Sequence, residues 1–443
     1  MCGKNIGIKR VMEMKTYLRV LETIETSGVK AWLVGDPVRD IAMDIHPSSL
    51  SVVVSACDLK ALAASLGQGT IMGAEAYPTL HVSIRDTKVE ISCMRGDSIE
   101  EELSRRDFSM NSMAIRSDGV FVDPFNGRHD VRNSLVRITG DDIDLVSNDP
   151  IRIMRMLRFA AELDMNIFWK SETDVRVFIA NNPDKIKNTP AERWGREIVN
   201  GMSLCPYDFI YLCNHYHILP FFLSELERLK EIKIDVNKTL FDHILETLRI
   251  VQDFLSSRKH RENDMAFSLA MLFHHAGAVS NQPLDEAKTA EITASHLRAW
   301  NVTSETVETV DFILKKYRSL YKPQTDEQLA TEVLRHIAES VDMTIDFAIC
   351  NARADDVENV ELLVTNKWKL GEVARRFEEA KRRTDGNMRY MTGDEVMKVL
   401  DIKPGKVVGE ILNDLGIAVG AGMVGSKKEA TEWVLKRGAG GAS

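Results

Sequence analysis

The sequence predicts an α+β fold: a small mixed-sheet head followed by a remainder that is helical throughout. Three observations carry that prediction. Short β-branched or alternating runs (32–34, 50–55, 80–85 and 88–93) are confined to the first part of the 443 residues. Beyond about residue 140 the apolar residues recur at intervals of three and four, the spacing of helices with one buried face. No apolar run approaches the ~20 residues that a membrane-crossing helix needs.

The elements follow in order. Residues 10–27 carry Val11, Met14, Leu18, Leu21 and Ile24 on one helical face and stop at Gly28. Residues 32–56, WLVGDPVRDIAMDIHPSSLSVVVSA, read as strand, glycine turn, helix, strand. Gly35 ends the first apolar run, and Pro37 falls in the first turn of a helix, where a missing N–H costs nothing. Asp36, Asp40 and Asp44 recur every fourth residue, on one face of that helix. Such a unit sets the turn and the start of the second strand around one cleft, with backbone N–H groups available to phosphate. Asp58 caps a helix over 58–66. Residues 80–85 and 88–93 form a hairpin about Asp86-Thr87, with Val89, Ile91 and Cys93 on one side and Lys88, Glu90 and Ser92 on the other.

Residues 98–115 read SIEEELSRRDFSMNSMAI, a short acidic helix running into Arg105, Arg106 and Asp107 and then a strand from Ser112. Arginine forks grip phosphate oxygens and a carboxylate accepts from ribose hydroxyls, so this group, with Asn111, suits a triphosphate and its sugar. A surface ion-pair cluster would have the same composition. Residues 120–123 and 135–138 form a last hairpin-like pair. A helix over 149–161 carries Arg152, Arg155 and Arg158 every third residue. Asp149 and Arg152 share a helix face, either to read the edge of a base or as an i,i+3 ion pair. Thr189 to Glu192 read as a capping box, in a stretch made basic by Lys185, Lys187, Arg193 and Arg196. Residues 366–383 make a helix with a mixed-charge, solvated face. The last seven residues, RGAGGAS, read as a disordered end.

Composition sets bounds on all of this. Hydrophobic content of 44% with 28% charged residues is that of a globular chain long enough for two to four domains. A net charge of −9 excludes wholesale coating of nucleic acid and leaves room for a local basic groove. The start, MCGKNIGIKR, lacks the apolar core of a signal peptide, which predicts a cytoplasmic location and no membrane contact. The six cysteines have no metal-type spacing and read as free thiols.

Several of these segments together resemble the class II tRNA nucleotidyltransferase (CCA-adding enzyme) and bacterial poly(A) polymerase family. Gly35, Val38, Arg39 and Asp40 match that family's G-G-x-V-R-D turn, and RRDFSMNSMA matches its R-R-D-F-T-x-N-A segment. Glu90 with Arg95 matches V-E-V-x-x-x-R, and Asp123-Pro124 with Gly127 matches D-P-x-x-G. Asp149 and Arg152 match E-D-x-x-R, Glu192, Arg193 and Glu197 match E-R-x-x-x-E, and the tail repeats T-G and P-G turns at 392–409.

The resemblance implies a nucleotidyltransferase head (1–140), a neck for base recognition (141–205), a helical body (206–330) and an RNA-binding tail (331–443). It implies nucleotide contacts from Gly35, Arg39, Arg105, Arg106, Asp107, Asn111, Asp149, Arg152, Arg155 and Arg158. It implies RNA contacts from Arg193, Arg196, Lys403 and Lys406, and as partners ATP, CTP and a tRNA 3′ end. The oligomeric state is not legible.

Two positions depart from the family. Asp36 replaces the second glycine. The Asp-x-Asp pair that holds Mg2+ falls on Ser49 and Ser51, leaving Glu90 as the remaining metal carboxylate. Neutral hydroxyls cannot balance a divalent charge, so nucleotidyl transfer is expected to be impaired or lost. The alternative is an active enzyme that adds C or A nucleotides using Glu90 and another carboxylate. His243 and His274-His275 fall where some relatives carry a His…His-Asp phosphohydrolase. His275 stands in the Asp position and no final Asp follows, so this stretch reads as scaffold alone.

Overall fold

A computed structural model of the protein describes the chain except residues 1–2, 56–57, 68, 74–77, 258–263, 281, 283, 336–337, 356–357, 385 and 440–443, with backbone alone at 3–13, 335, 338–340, 355, 358 and 438–439. Its contacts divide the chain into two compact units, Met1–Pro190 and Ala191–Ser443.

In the first unit, helix α1 (Gly3–Glu25) buries Val20, Leu21 and Ile24. Strand β1 (Ala31–Val34) leads through Gly35 into α2 (Asp36–Ala42), followed by β2 (Leu50–Val54) and α3 (Leu59–Ser65), which Asp58 caps by accepting from the Lys60 N–H. Asp44 lies outside α2 in the left-handed region at φ 64°, so it does not share a helix face with Asp36 and Asp40.

Strands β3 (Thr70–Met72), β4 (Thr79–Ile84) and β5 (Thr87–Cys93) complete one side of the sheet. The β4–β5 hairpin turns at Arg85-Asp86, one residue earlier than the sequence suggests. Both residues have positive φ (51° and 62°), as a two-residue loop matched to strand twist requires.

Helix α4 (Ile99–Ser104) precedes β6 (Ala114–Arg116) and β7 (Phe121–Val122). Among the described residues the sheet has seven strands in the order β3-β4-β5-β2-β1-β6-β7. Only β2 and β5 run parallel within it, with Ser51 opposite Glu90.

The expected pairing of 120–123 with 135–138 does not form. Strand β7 pairs with β6, while β8 (Leu135–Val136) pairs in parallel with β9 (Asn166–Ile167). The cause is local. The Asp123 carboxylate accepts from the N–H groups of Gly127 and Arg128, starting helix α5 (Gly127–Arg132) and carrying the chain away from the sheet. A side chain at Gly127 would overlap the Ser109 carbonyl oxygen, so this helix start is closely seated.

Helices α6 (Asp144–Asn148), α7 (Ile151–Glu162), α8 (Trp169–Asn181) and α9 (Pro183–Lys187) finish the unit. Asp149 precedes α7 with extended backbone (φ −146°, ψ 86°), because a residue before proline is steered away from helical geometry and Pro150 follows. Asp149 and Arg152 therefore do not share a helix face.

Among the described residues the second unit is built of helices with one small two-stranded ribbon. Its mixed-charge helix, Glu358–Arg383, begins earlier than read, and its cations are not simply solvated. Arg376 donates to Asp326 and to the Gly420 carbonyl at 2.7 and 2.8 Å, Lys369 to the Gln324 carbonyl, and Lys367 to Asp346. The last helix, Lys427–Ala439, includes Arg437, which pairs with Asp414 at 2.6 Å, so the expected disordered end does not start there. Cys205, Cys213 and Cys350 are buried free thiols and Cys93 is a half-buried one, as read; Cys2 and Cys57 lie outside the described residues. No helix among the described residues is long and apolar enough to cross a membrane.

On one face of the head sheet Val34, Val53 and Ala114 meet Ile99 and Leu103 of α4. Residues two apart on a strand point the same way, so Ser51 shares a face with Val53. Helix α4 is pinned by Glu102, whose side chain is 3% exposed. Its carboxylate accepts from the backbone N–H, Nε and Nη2 of Arg95 at 3.0–3.1 Å. Removing it leaves the largely buried Arg106 and the Arg95 backbone N–H without their acceptor, so Glu102→Ala should lower unfolding free energy by roughly 2–3 kcal/mol. The neighbouring Glu101→Ala, which breaks a surface pair, should leave the denaturant midpoint nearly unmoved. Chemical denaturation of the two variants side by side checks the contrast.

Candidate functional site

The site begins at the end of β1. Gly35 has φ 73°, a backbone conformation that favours glycine, and a Cβ there would lie 2.8 Å from Arg106 Nη1. The guanidinium of Arg106 thus lies directly against the turn. It is held from behind by Glu102 Oε1 at 3.5 Å. Burial lowers its pKa, with Glu102 as the main opposing influence.

Beneath the turn, Arg39 is 5% exposed and makes several charge-assisted bonds. It donates to Asp36 Oδ1 at 3.0 Å and to Asp40 Oδ1 at 2.7 and 3.0 Å, with a longer 3.4 Å contact to Asn111 Oδ1. Burial raises the Asp40 pKa, an effect that Arg39 opposes. Phe159 lies 5.2 Å from the Arg39 guanidinium carbon and 4.2 Å from that of Arg158, which also pairs with Glu162.

The RRD segment and α7 are tied together. Asp107 forms an ion pair with Arg152, whose Nε lies 3.0 Å away, and accepts from Arg155 Nη1 at 2.6 Å, and Arg152 Nη2 donates to the Arg105 carbonyl at 3.1 Å. Arg152 Nη1 is buried with no hydrogen-bond partner. Arg105 itself is half exposed and paired with Glu101. Gly35, Arg39, Arg105, Arg106, Asp107, Asn111, Arg152, Arg155 and Arg158 are thereby linked, directly or through one neighbour, into one network. Asp149 joins it by sequence adjacency, its carbonyl accepting from the Arg152 N–H.

The positions matching the family's metal carboxylates lie at the start of β2. Because β1 and β2 are antiparallel, the end of β1, and hence Gly35, adjoins this start. Ser49 and Ser51 are half-buried, and Glu90 stands opposite Ser51 on β5. The Glu90 carboxylate is about half exposed and lies 3.8 Å from His81 Nδ1 on β4. The donor set is two neutral hydroxyls, one carboxylate and an imidazole.

In the second unit, Arg193 and Arg196 are exposed on helix Ala191–Leu204, and Arg196 lies 4.0 Å from Glu192. Lys403 and Lys406 are exposed about Gly405, where helix Lys406–Gly420 starts without a side-chain cap.

Sequence reasoning missed Glu102, His81 and Phe159. Glu102 was detectable as the residue four before Arg106, and His81 by counting back through the hairpin to its partner Glu90. Phe159 carried no signal, since its role depends on where α7 packs.

The family model for the Poly A polymerase head domain matches residues 95–137. The chain is 24% identical to the CCA-adding enzyme of Streptococcus mutans, over 94% of this chain and 96% of that one. It is 31% identical to the CC-adding tRNA nucleotidyltransferase of Halalkalibacterium halodurans over 35% of this chain and 40% of that one. Among solved structures, the Bacillus stearothermophilus CCA-adding enzyme in complex with CTP superposes with a TM-score of 0.61 at 22% identity, covering 97% and 98% of the two chains. The Thermotoga maritima CCA-adding enzyme complexed with tRNA gives 0.57 at 17% identity, covering 95% of each. With its turn, RRDF segment and seven-stranded sheet arranged as described, the chain shares the fold of these CCA-adding enzymes and is similar to them along nearly its whole length.

Proposed function

We propose that this protein binds tRNA 3′ ends and nucleoside triphosphates without transferring nucleotides. The observation that carries the reading is the donor set at the start of β2. Two-metal nucleotidyl transfer needs hard carboxylate oxygens around two ions ~3.5–4 Å apart. Ser49 and Ser51 supply neutral hydroxyls, and Glu90 is the one carboxylate opposite them. Asp36 and Asp40, the nearest substitutes, are both committed to Arg39. These residues do not fit a pair of magnesium ions.

The binding half of the reading rests on the arginine network. A triphosphate beside Gly35 would meet Arg106, which already lies against the turn. This reading assigns a base edge to Asp149 and to Arg152, whose buried Nη1 has no hydrogen-bond partner. Relatives of the same fold are described in complexes with CTP, ATP and tRNA, which supports the same ligand classes here. The cations Arg193, Arg196, Lys403 and Lys406, with the N-terminus of helix Lys406–Gly420, suit RNA phosphates.

Binding of a tRNA acceptor minihelix should weaken steeply as salt rises, as phosphate contacts require, and a mobility-shift series measures it. Asp149→Ala should weaken ATP and CTP alike while leaving minihelix binding unchanged. Equal loss of both would point to misfolding instead.

The decisive test is restoration. With a tRNA lacking its terminal nucleotides, labelled ATP or CTP and magnesium, the protein should show no transfer above background. The triple variant Ser49→Asp, Ser51→Asp, Asp36→Gly should show measurable addition. It rebuilds alternating carboxylates on one strand face beside Glu90 and removes a negative charge and a side chain from the phosphate turn. Magnesium-dependent addition by the unmodified protein would overturn the reading in favour of an active enzyme using Glu90 and another carboxylate.

A further inference from the structure

His243, His274 and His275, read as scaffold from the sequence, converge in the second unit. One ring nitrogen from each lies within 4.8 Å of the others, the only such group of three among the described residues. They come from separate places, His243 from helix Leu240–Ser256 and the pair from the turn after helix Asp264–Phe273. We propose that this triad binds a borderline transition metal of the zinc class.

The argument starts from tautomers. His274 Nδ1 lies 2.6 Å from the Met271 carbonyl oxygen. A carbonyl cannot donate, so Nδ1 carries the proton and Nε2 presents its lone pair. A ring N–H donated to a backbone carbonyl is the usual way in which a ligating histidine is oriented. That Nε2 lies 3.1 Å from His243 Nε2, which is also 3.1 Å from Asn351 Oδ1. Two imidazole nitrogens on a tetrahedral zinc, each bonded at ~2.0–2.1 Å, stand about 3.3–3.4 Å apart. The observed pair is within a few tenths of an ångström of that separation. In the metal-free state one proton on His243 Nε2 satisfies both neighbours. Binding moves the His243 ring proton from Nε2 to Nδ1 and replaces the contacts of Nε2 with His274 and Asn351 by a bond to the metal, so no proton is released.

The third imidazole, His275, is half-buried with its ring centroid 4.3 Å from that of His274. It lines a cavity of ≈ 370 Å³ with His243, Tyr317, Arg318, Tyr321 and Asn351. A fourth coordination position is therefore open toward this cavity, where Asn351 offers a neutral oxygen. Asn351 is fixed by its own bond to the Tyr321 hydroxyl at 3.0 Å. Three imidazoles without a carboxylate suit zinc, cobalt, nickel or copper and disfavour magnesium.

The test uses untagged full-length protein stripped with a chelator and titrated with Co2+, then Zn2+ in competition. One Co2+ per chain is expected, with the visible absorption of a low-coordinate imidazole site, displaced by one equivalent of Zn2+ and unaffected by Mg2+. His275→Ala should weaken binding at least tenfold, and Asn351→Asp, a near-isosteric change that adds a charged oxygen, should tighten it. Circular dichroism of each variant establishes that the fold is kept. Substoichiometric uptake by the unmodified protein, or stoichiometric uptake that neither substitution alters, would overturn the proposal. The readout is independent of nucleotide and RNA binding by the first unit.

Discussion

The head is organised about one buried cation. A guanidinium as enclosed as that of Arg39 persists in a fold only when its charge is matched and its donors are bonded. Asp36 and Asp40 from its own helix match it, and Asn111 from the RRDF segment gives it a further acceptor. The Gly35 turn, the helix that follows it and the segment carrying Arg105 to Asn111 are thereby fixed to one another. Arg106 closes the arrangement from above, against a glycine that leaves no room for a side chain.

This constraint separates two kinds of polar residue. Glu102, Asp107, Arg152 and Arg155 hold the head together whether or not a ligand binds, since each sits in ion pairs between distinct segments, and Arg39 does so through its hydrogen bond to Asn111. Positions 49 and 51 carry no such duty. Carboxylates there would stand beside Glu90 across adjoining strands and repel it whenever no cation was present. Serines remove that repulsion, while Asp107, Arg152 and Arg155 stay in place because the fold depends on them.

The second unit shows the same economy with imidazoles. The fold gathers His243, the His274-His275 pair and Asn351 from three helical segments, and none of them carries a carboxylate. What the ligands are then decides which ion is preferred, and neutral nitrogen donors shift that preference toward softer metals.

The sequence by itself determined the strand–turn–helix–strand unit at 31–54, because glycine, proline and period-two signals there act over a few residues. It also determined the side of β5 that Glu90 faces and the identity of the departures at 36, 49 and 51. It placed Arg105 to Asn111 and Arg152 as candidates through their likeness to a family. Only the tertiary structure decided the rest. The pairing of β8 with β9 depends on a capped helix start at Gly127 that carries the chain off the sheet. Phe159 became a partner of the site through contacts that no spacing encodes. The histidine triad is the clearest case: His243 and His274 are 31 residues apart in sequence, and what brings their nitrogens to 3.1 Å is the packing of apolar helix faces. Periodicity specifies which faces are buried, but not which buried faces meet.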